Sequence, residues 1–236
     1  MILVFPDLHL ARNTDEIDAL IERLAPSQTV FLGDYFDQFD AKVEDYRRMA
    51  MWLLASLSRP NRTYLIGNHE LHYICPQTGK GFGYNALAYP EVNRILTFPI
   101  WRHRFKFAHG VGPWLFTHAG LQLQTARWSQ VWKPDLAYGI ASLADHINYK
   151  VWRATASAIN HRGASLVTGE RITNWAWRPG VARGGHSTRP GILWCDYSEF
   201  YPIPHVCQVF GHTYTGSLAR RKLGTDSVNY CFDTSA

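Results

Sequence analysis

Cysteine is scarce in this sequence, and its pattern excludes two classes of protein. The four cysteines lie far apart, with no C-x-x-C pair, at Cys75, Cys195, Cys207 and Cys231. A zinc ribbon or a small disulfide-stapled domain needs closely spaced cysteines, so neither class is indicated. Free thiols are typical of a reducing compartment. We therefore expect packed core thiols in a cytoplasmic protein.

Long apolar runs are also missing. No stretch reaches the ~18 consecutive apolar residues that a membrane-spanning helix needs. The apolar run over residues 1–5 stops at Pro6 and has no basic leader, so it does not resemble a secretory signal. We expect a protein without a membrane partner, and the sequence indicates no oligomeric state.

What the chain does contain is enough apolar sequence for a large core. It has 236 residues, of which 46% are apolar and 18% are charged with both signs mixed. A chain of this size buries roughly 70 to 75% of its unfolded surface, and this composition excludes the disordered class. We predict a single domain over residues 1–236.

Positive charge is concentrated in residues 121–190. This stretch holds nine Lys or Arg against three acids, a net charge of +6, whereas the whole chain carries +5. Arginine beside tryptophan suits a surface that meets phosphate or stacked bases, and the alternative is a solvated face above a tryptophan-rich core. We interpret the stretch as a basic insertion or cap-like segment, with nucleic acid as an alternative partner. Its tryptophans are Trp128, Trp132, Trp152, Trp175 and Trp177.

The first 70 residues alternate between strand and helix patterns. Short apolar runs predict strands at Ile2–Phe5, 29–32 and 63–66. Apolar residues at helical spacing predict helices over 13–24 and 49–57, each closed by a proline. A β-α-β-α-β order favours parallel strands with helices covering the sheet.

Later segments predict a second sheet, mixed or antiparallel. Strand patterns recur at 105–107, Trp114–Thr117, 192–194, 206–210 and 228–231. One clear helix is predicted over 143–160, and residues 179–191, rich in glycine and proline, predict a long mobile loop.

Polar residues of one chemical kind follow the first three strands. Because the carboxyl ends of parallel strands meet at one edge of a sheet, we expect these side chains to share a crevice. Carboxylate, amide and imidazole groups without a thiolate suit Mn, Fe or Zn. The strand-end residues are Asp7, His9, Asp34, Asp37, Asn68 and His69, and two glycine-flanked histidines, His118 and His212, follow later strand patterns.

Taken in order, these elements resemble the calcineurin-like metallophosphoesterases, whose pattern is D-x-H, G-D-x-x-D, G-N-H-E, a later His and G-H-T or G-H-x-H. The match spans Asp7 to His212. The T-H-A-G-L and L-W-C-D segments are similar to the H-G-G-L and L-W-S-D elements of the phosphoprotein phosphatase (Ser/Thr phosphatase) branch. The resemblance implies an α/β fold, a four-layer α-β-β-α sandwich of two mixed sheets with flanking helices.

The resemblance also implies a site with two metal ions, Mn, Fe or Zn. One ion would be held by Asp7, His9 and Asp34. The other would be held by Asp34, Asn68, His118 and His212, with Asp34 bridging. His69 would stay free of metal and protonate the leaving oxygen, while Asp37 orients its ring and raises its pKa.

Three departures from the family pattern bear on which class of substrate the site binds. Leu10 stands where a glycine usually follows D-x-H, and Tyr214 stands where many phosphodiesterases keep a second histidine. Gln38 replaces the arginine that usually grips the substrate phosphate. Arg183 and Arg189 are our candidates to replace that arginine.

The function implied is that of a dinuclear metal-dependent phosphatase, a phosphoric ester hydrolase. It would hydrolyse phosphomonoesters, either phosphoprotein or a small nucleotide-like phosphate, by direct attack of a metal-bridging hydroxide. One alternative is a phosphodiesterase or nuclease acting on nucleic acid or nucleotides, which the basic stretch favours. A second is a non-catalytic metal-binding scaffold, although a scaffold has no need of a free acid such as His69 beside Asp37.

Overall fold

A computed structural model describes residues 1–76, 83–133, 139–160, 175–216 and 218–233. Its strands form two sheets. The first has the order β1-β2-β3-β4 and is parallel throughout, with Val4 opposite Val30 and Phe31 opposite Tyr64. Its strands are β1 (Ile2–Phe5), β2 (Gln28–Phe31), β3 (Arg62–Leu65) and β4 (Phe105–Lys106).

The second sheet is mixed and has the order β5-β6-β7-β9-β8. Its three inner strands are parallel to one another, and an antiparallel strand closes each edge. The strands are β5 (Ala108–Val111), β6 (Trp114–Thr117), β7 (Cys207–Phe210), β8 (Arg220–Gly224) and β9 (Ser227–Cys231). The predicted fold class, with two sheets and flanking helices, is confirmed, but only the second sheet is mixed, because all pairs of the first are parallel.

Seven helices flank the sheets in the described part of the chain. They are α1 (Thr14–Leu24), α2 (Val43–Ser56), α3 (Leu71–Ile74), α4 (Tyr89–Ile95), α5 (Phe98–Arg104), α6 (Leu123–Trp128) and α7 (Ile140–Asn160). Apolar spacing explains α1, since Ile17 and Ile21 fall on one buried face. The helix ends at Ala25, which takes a left-handed conformation just before Pro26. None of the described helices combines the length and apolar character needed to cross a bilayer.

Side chains that point alternately to the two faces of β2 and the residue after it contribute to two separate apolar layers. Val30 and Leu32 pack with Phe116 and Val209 of the second sheet, so this small cluster is the core between the sheets. Phe31 points the other way into the main core, together with the apolar faces of α1 and α2. Because successive side chains of a strand face opposite sides, one strand supplies both layers.

Residues 121–190 contribute α6 and α7, while 134–138 and 161–174 lie outside the described residues. Asn148 of α7 binds the start of β5: its Oδ1 accepts from the Phe107 and Ala108 amides at 2.7 and 3.1 Å. Trp152, Trp175 and Trp177 are buried, so these rings serve the core rather than a surface. Whether the segment is an insertion or a cap stays a prediction.

One predicted strand is wrong. Residues 192–194 form a turn, in which the Trp194 amide donates to the Gly191 carbonyl. Ile192 and Leu193 are fully buried there, because a short apolar run fits a packed turn as well as a strand. The predicted loop over 179–191 contains one short helical turn, Val181–Arg183. The other predicted strands and helices are present with bounds shifted by a few residues.

Candidate metal centre

The candidate ligands all follow strand ends in the two sheets. Asp7, Asp34 and Asn68 come two or three residues after the last residues of β1, β2 and β3. His118 directly follows β6, and His212 comes two residues after β7. Since these strands are parallel within each sheet, their carboxyl ends converge on one edge of the sandwich. All five side chains are buried.

The tightest group gathers around His118. Its Nε2 lies 2.9 Å from Asn68 Oδ1, 3.1 Å from His212 Nδ1 and 3.4 Å from Asp34 Oδ2. Its Nδ1 lies 3.0 Å from the Leu32 carbonyl oxygen, which can only accept a hydrogen bond. The ring proton therefore sits on Nδ1, and Nε2 presents a lone pair to the group.

Charge and burial keep the two histidines of this group neutral and Asp34 ionised. Burial lowers the pKa of His118 despite the opposing charge of Asp34, and burial lowers the pKa of His212 well below its usual range. Burial raises the pKa of Asp34, but four surrounding imidazoles outweigh it and hold that pKa well below the usual range. His118 Nε2, Asn68 Oδ1 and Asp34 Oδ2 are thus acceptors, and His212 Nδ1, 3.1 Å from His118 Nε2, donates or accepts according to its tautomer. A cation fits this donor set.

A second group joins Asp34 to His9 and His69. The Nε2 atoms of both histidines lie 3.9 Å from Asp34 Oδ2, and the two rings meet edge to face at 5.0 Å. His9 Nδ1 lies 2.9 Å from the Asp37 carbonyl oxygen, which turns its Nε2 toward the site. Among the described residues, these two groups are the sets of three or more metal-ligating side chains placed to hold an ion, and Asp34 belongs to both.

Asp7 and His69 differ in placement from the sequence-based ligand assignment. Asp7 belongs to neither group: its Oδ1 accepts from the His212 amide at 3.2 Å and lies 3.9 Å from His118 Nδ1. Burial and then the charge of Asp34 raise the pKa of Asp7 well above its usual range. His69, assigned as the free acid, lies as close to Asp34 as His9 does. The assignment of ligands and acid stays a prediction.

His69 is in contact with Asp37, as the sequence-based roles require. Asp37 Oδ2 lies 3.1 Å from His69 Nδ1, and the Tyr73 hydroxyl donates to Asp37 Oδ1 at 2.6 Å. Burial lowers the pKa of His69, but the carboxylates of Asp34 and Asp37 outweigh it and raise that pKa to about 9. Tyr73 carries no sequence signal beyond an apolar position in a short helix.

Glu70, the last residue of G-N-H-E, connects the two loops that carry the centre. Its fully buried carboxylate accepts from the amides of Asp34, Tyr35 and Gly67, each at 2.8 Å. Burial and the charge of Asp34 raise the pKa of Glu70 to about 8, against the three donors. The motif contained this residue, but its structural role follows only from the contacts.

The two candidate substrate arginines are placed differently. Arg183 lies beside the centre, where its Nη2 donates to the His212 carbonyl at 2.8 Å and its Nε pairs with Asp196 at 3.0 Å. This guanidinium therefore fixes the turn that carries His212, and Asp196 comes from the L-W-C-D segment. Arg189 is exposed in its loop, and phosphate binding by either residue stays a prediction. Gln38 lines a cavity of about 280 Å³ together with Tyr46 and Tyr84.

Backbone strain is concentrated at this centre. His9, Asp34, Asp37 and His212 have φ values of 39°, 51°, 66° and 67°. A left-handed backbone costs roughly 1 to 3 kcal/mol at a non-glycine residue and is concentrated at functional sites. Leu10 is also left-handed, with φ of 60°, which explains why glycine is usual at that place.

The fold and these two ligand groups define a candidate dinuclear metal centre at the strand ends of an α/β sandwich. The family model for calcineurin-like phosphoesterases matches residues 1–216, and the chain belongs to that family. The sequence motifs predict this family, which is one of phosphoesterases.

The structure is similar to that of a protein serine/threonine phosphatase from Saccharomyces cerevisiae with similarity to human phosphatase PP5. The similarity has a TM-score of 0.44 at 15% identity and covers 98% of this chain. This chain spans 66% of the length of that phosphatase chain. The comparison with curated proteins found no match.

Proposed function

We propose that this protein is a dinuclear phosphatase that hydrolyses phosphomonoesters, either phosphoprotein or a small nucleotide-like phosphate. The single observation that carries the proposal is that Asp34 belongs to two groups of metal-ligating side chains, one with His118 and His212 and the other with His9 and His69. Bound there, two ions would activate a water molecule for direct attack and neutralise phosphate charge.

In this proposal the side chains have separate tasks. Asn68, His118 and His212 would hold one ion, Asp7 and His9 would hold the other, and Asp34 would serve both. His69 Nε2 gives a proton to the leaving oxygen, while Asp37 holds Nδ1 at 3.1 Å. No covalent enzyme intermediate forms. Removing such an acid costs roughly 10² to 10⁴ in rate for a poor leaving group.

Metal identity and compartment are also part of the proposal. A donor set of carboxylate and amide oxygens with imidazole nitrogens favours Mn, Fe or Zn. The four cysteines are free thiols, which supports a reducing, cytoplasmic location. Phosphorylated protein or a phosphorylated small molecule would be the partner.

The test uses protein stripped of metal and reloaded with Mn, Fe, Zn or Mg. Hydrolysis of an aryl phosphate monoester is compared with that of the matched diester in wild type, Asn68→Ala and His69→Ala. His205→Ala is the matched control, because His205 is exposed and outside both groups. We expect metal-dependent monoester turnover that both site variants lose and the control keeps.

The other outcomes separate the alternatives. A preference for the diester would favour a phosphodiesterase or nuclease. Two bound ions without turnover of either ester, for any metal, would leave the non-catalytic scaffold and would refute the phosphatase.

A further inference from the structure

The Asp37 carboxylate is held from both sides. One oxygen faces His69 Nδ1 at 3.1 Å, and the other accepts from the Tyr73 hydroxyl at 2.6 Å. The Asp37 side chain is fully buried, and these two groups, together with the nearby Tyr46 hydroxyl, stand where water would otherwise bind it. Tyr73 is itself only 1% exposed, so its hydroxyl competes with little solvent.

The Tyr73 ring has a fixed position in an aromatic cluster. Its centroid lies 5.1 Å from Phe36, 5.7 Å from Tyr84 and 6.3 Å from Tyr46. Rings packed at such distances keep one rotamer, so the hydroxyl is aimed at Asp37 without further cost of ordering.

The chain segment that carries His69 also carries Tyr73. Residues 68–74 therefore contact the Asp37 carboxylate at two points, once through His69 and once through Tyr73. Two rotatable bonds separate the Asp37 carboxylate from its backbone, and the two contacts restrict both.

We propose that Tyr73 is a positioning residue for proton transfer: its hydroxyl fixes Asp37, and Asp37 in turn fixes the His69 ring toward the leaving oxygen. This inference rests on the proposed function, in which His69 is the acid. In the step concerned, a water molecule that has given up one proton to solvent forms the new bond to phosphorus, the bond from phosphorus to the leaving oxygen breaks, and that oxygen takes the His69 Nε2 proton. Tyr73 exchanges no proton in it.

Tyr73→Phe tests the role, because it keeps the packed ring and removes only the donor. Proton delivery matters for a poor leaving group and hardly at all for a good one. We therefore compare an alkyl phosphate with a dinitrophenyl phosphate, using the metal-loaded full chain. The expected loss in kcat is roughly tenfold on the alkyl ester, the scale of one hydrogen bond to a charged group, with little loss on the dinitrophenyl ester.

Three controls make the result specific. Tyr64→Phe removes the hydroxyl of another buried tyrosine, which donates to Ser56 instead of Asp37, and should leave the ratio of the two rates unchanged. Tyr73→Phe added to His69→Ala should cause no further loss. Metal content, measured by elemental analysis, should equal that of wild type in Tyr73→Phe.

The outcomes are distinguishable. Because both rates come from one sample, a partial loss of folded protein cancels in their ratio. An unchanged ratio in Tyr73→Phe, or a loss of bound metal, would overturn the role of Tyr73 while wild-type activity upheld the phosphatase. A wild type inactive on both esters would overturn the proposed function and this inference together.

Discussion

A methyl group added at Gly67 should disable the whole centre. A Cβ placed there would overlap Asp34 Oδ1 and lie 2.5 Å from the Asp34 amide nitrogen. The backbone of Gly67 is not left-handed, so Gly67→Ala acts through this collision alone. Asp34 must move, and it belongs to both ligand groups.

The magnitude follows from two terms. Overpacking at a closely packed position costs about 1 to 3 kcal/mol of unfolding free energy. The shift also breaks the bond from the His69 amide to Asp34 Oδ1, now 3.0 Å long, and a misplaced ligand or its support typically costs roughly 10- to 100-fold in metal affinity.

The assay is calorimetric titration of the stripped protein with Mn or Zn, together with urea unfolding of the same stripped protein. Gly139→Ala is the matched control, because a Cβ there meets nothing within 4 Å. We expect weaker binding of both ions for Gly67→Ala and wild-type binding for the control. A folded Gly67→Ala protein that binds two ions with wild-type affinity would refute the reasoning.

Three further changes have defined outcomes. Glu70→Gln replaces one of the two carboxylate oxygens, which together accept from three backbone amides, with an NH2 group that faces an amide donor. The change should lower the unfolding free energy by about 1 to 3 kcal/mol, read by urea titration; wild-type stability would contradict it. Leu10→Gly relieves the strain of a left-handed backbone, which costs roughly 1 to 2 kcal/mol. It also removes a buried side chain that contributes about 2 to 5 kcal/mol to the unfolding free energy. A net gain in stability would therefore show that the strain dominates. Burial and then the charge of Lys106 lower the pKa of His109 to about 4, so below pH 6.5 the unfolded chain binds a proton that the folded chain does not. Stability should therefore fall from about pH 6.5 to 4, and His109→Gln should flatten this part of the profile in thermal melts.

Strand-end reasoning located the candidate centre because it depends on a general property of parallel sheets. Asp7, Asp34 and Asn68 could be placed together from the order of strands alone. The same reasoning missed β8, whose sequence Arg-Arg-Lys-Leu-Gly is that of a charged edge strand without apolar alternation.

Contacts made across the chain could not be read from local patterns. The Tyr73 hydroxyl meets a carboxylate 36 residues earlier, and Glu70 reaches amides 35 and 36 residues earlier. Likewise, motif spacing says that His69 is near the site but not that its Nε2 approaches Asp34 as closely as that of His9. Such distances depend on how the loops pack, which periodicity does not encode.

The division of ligands between the two sheets links metal loading to folding. Asp34 comes from the first sheet, whereas His118 and His212 come from the second, and the bond between the His212 amide and Asp7 closes a loop of 205 residues. An intermediate with only one sheet formed would lack part of this ligand group. Metal would therefore bind late in folding, and once bound it would stabilise the docked sheets by an amount that rises with the logarithm of its free concentration.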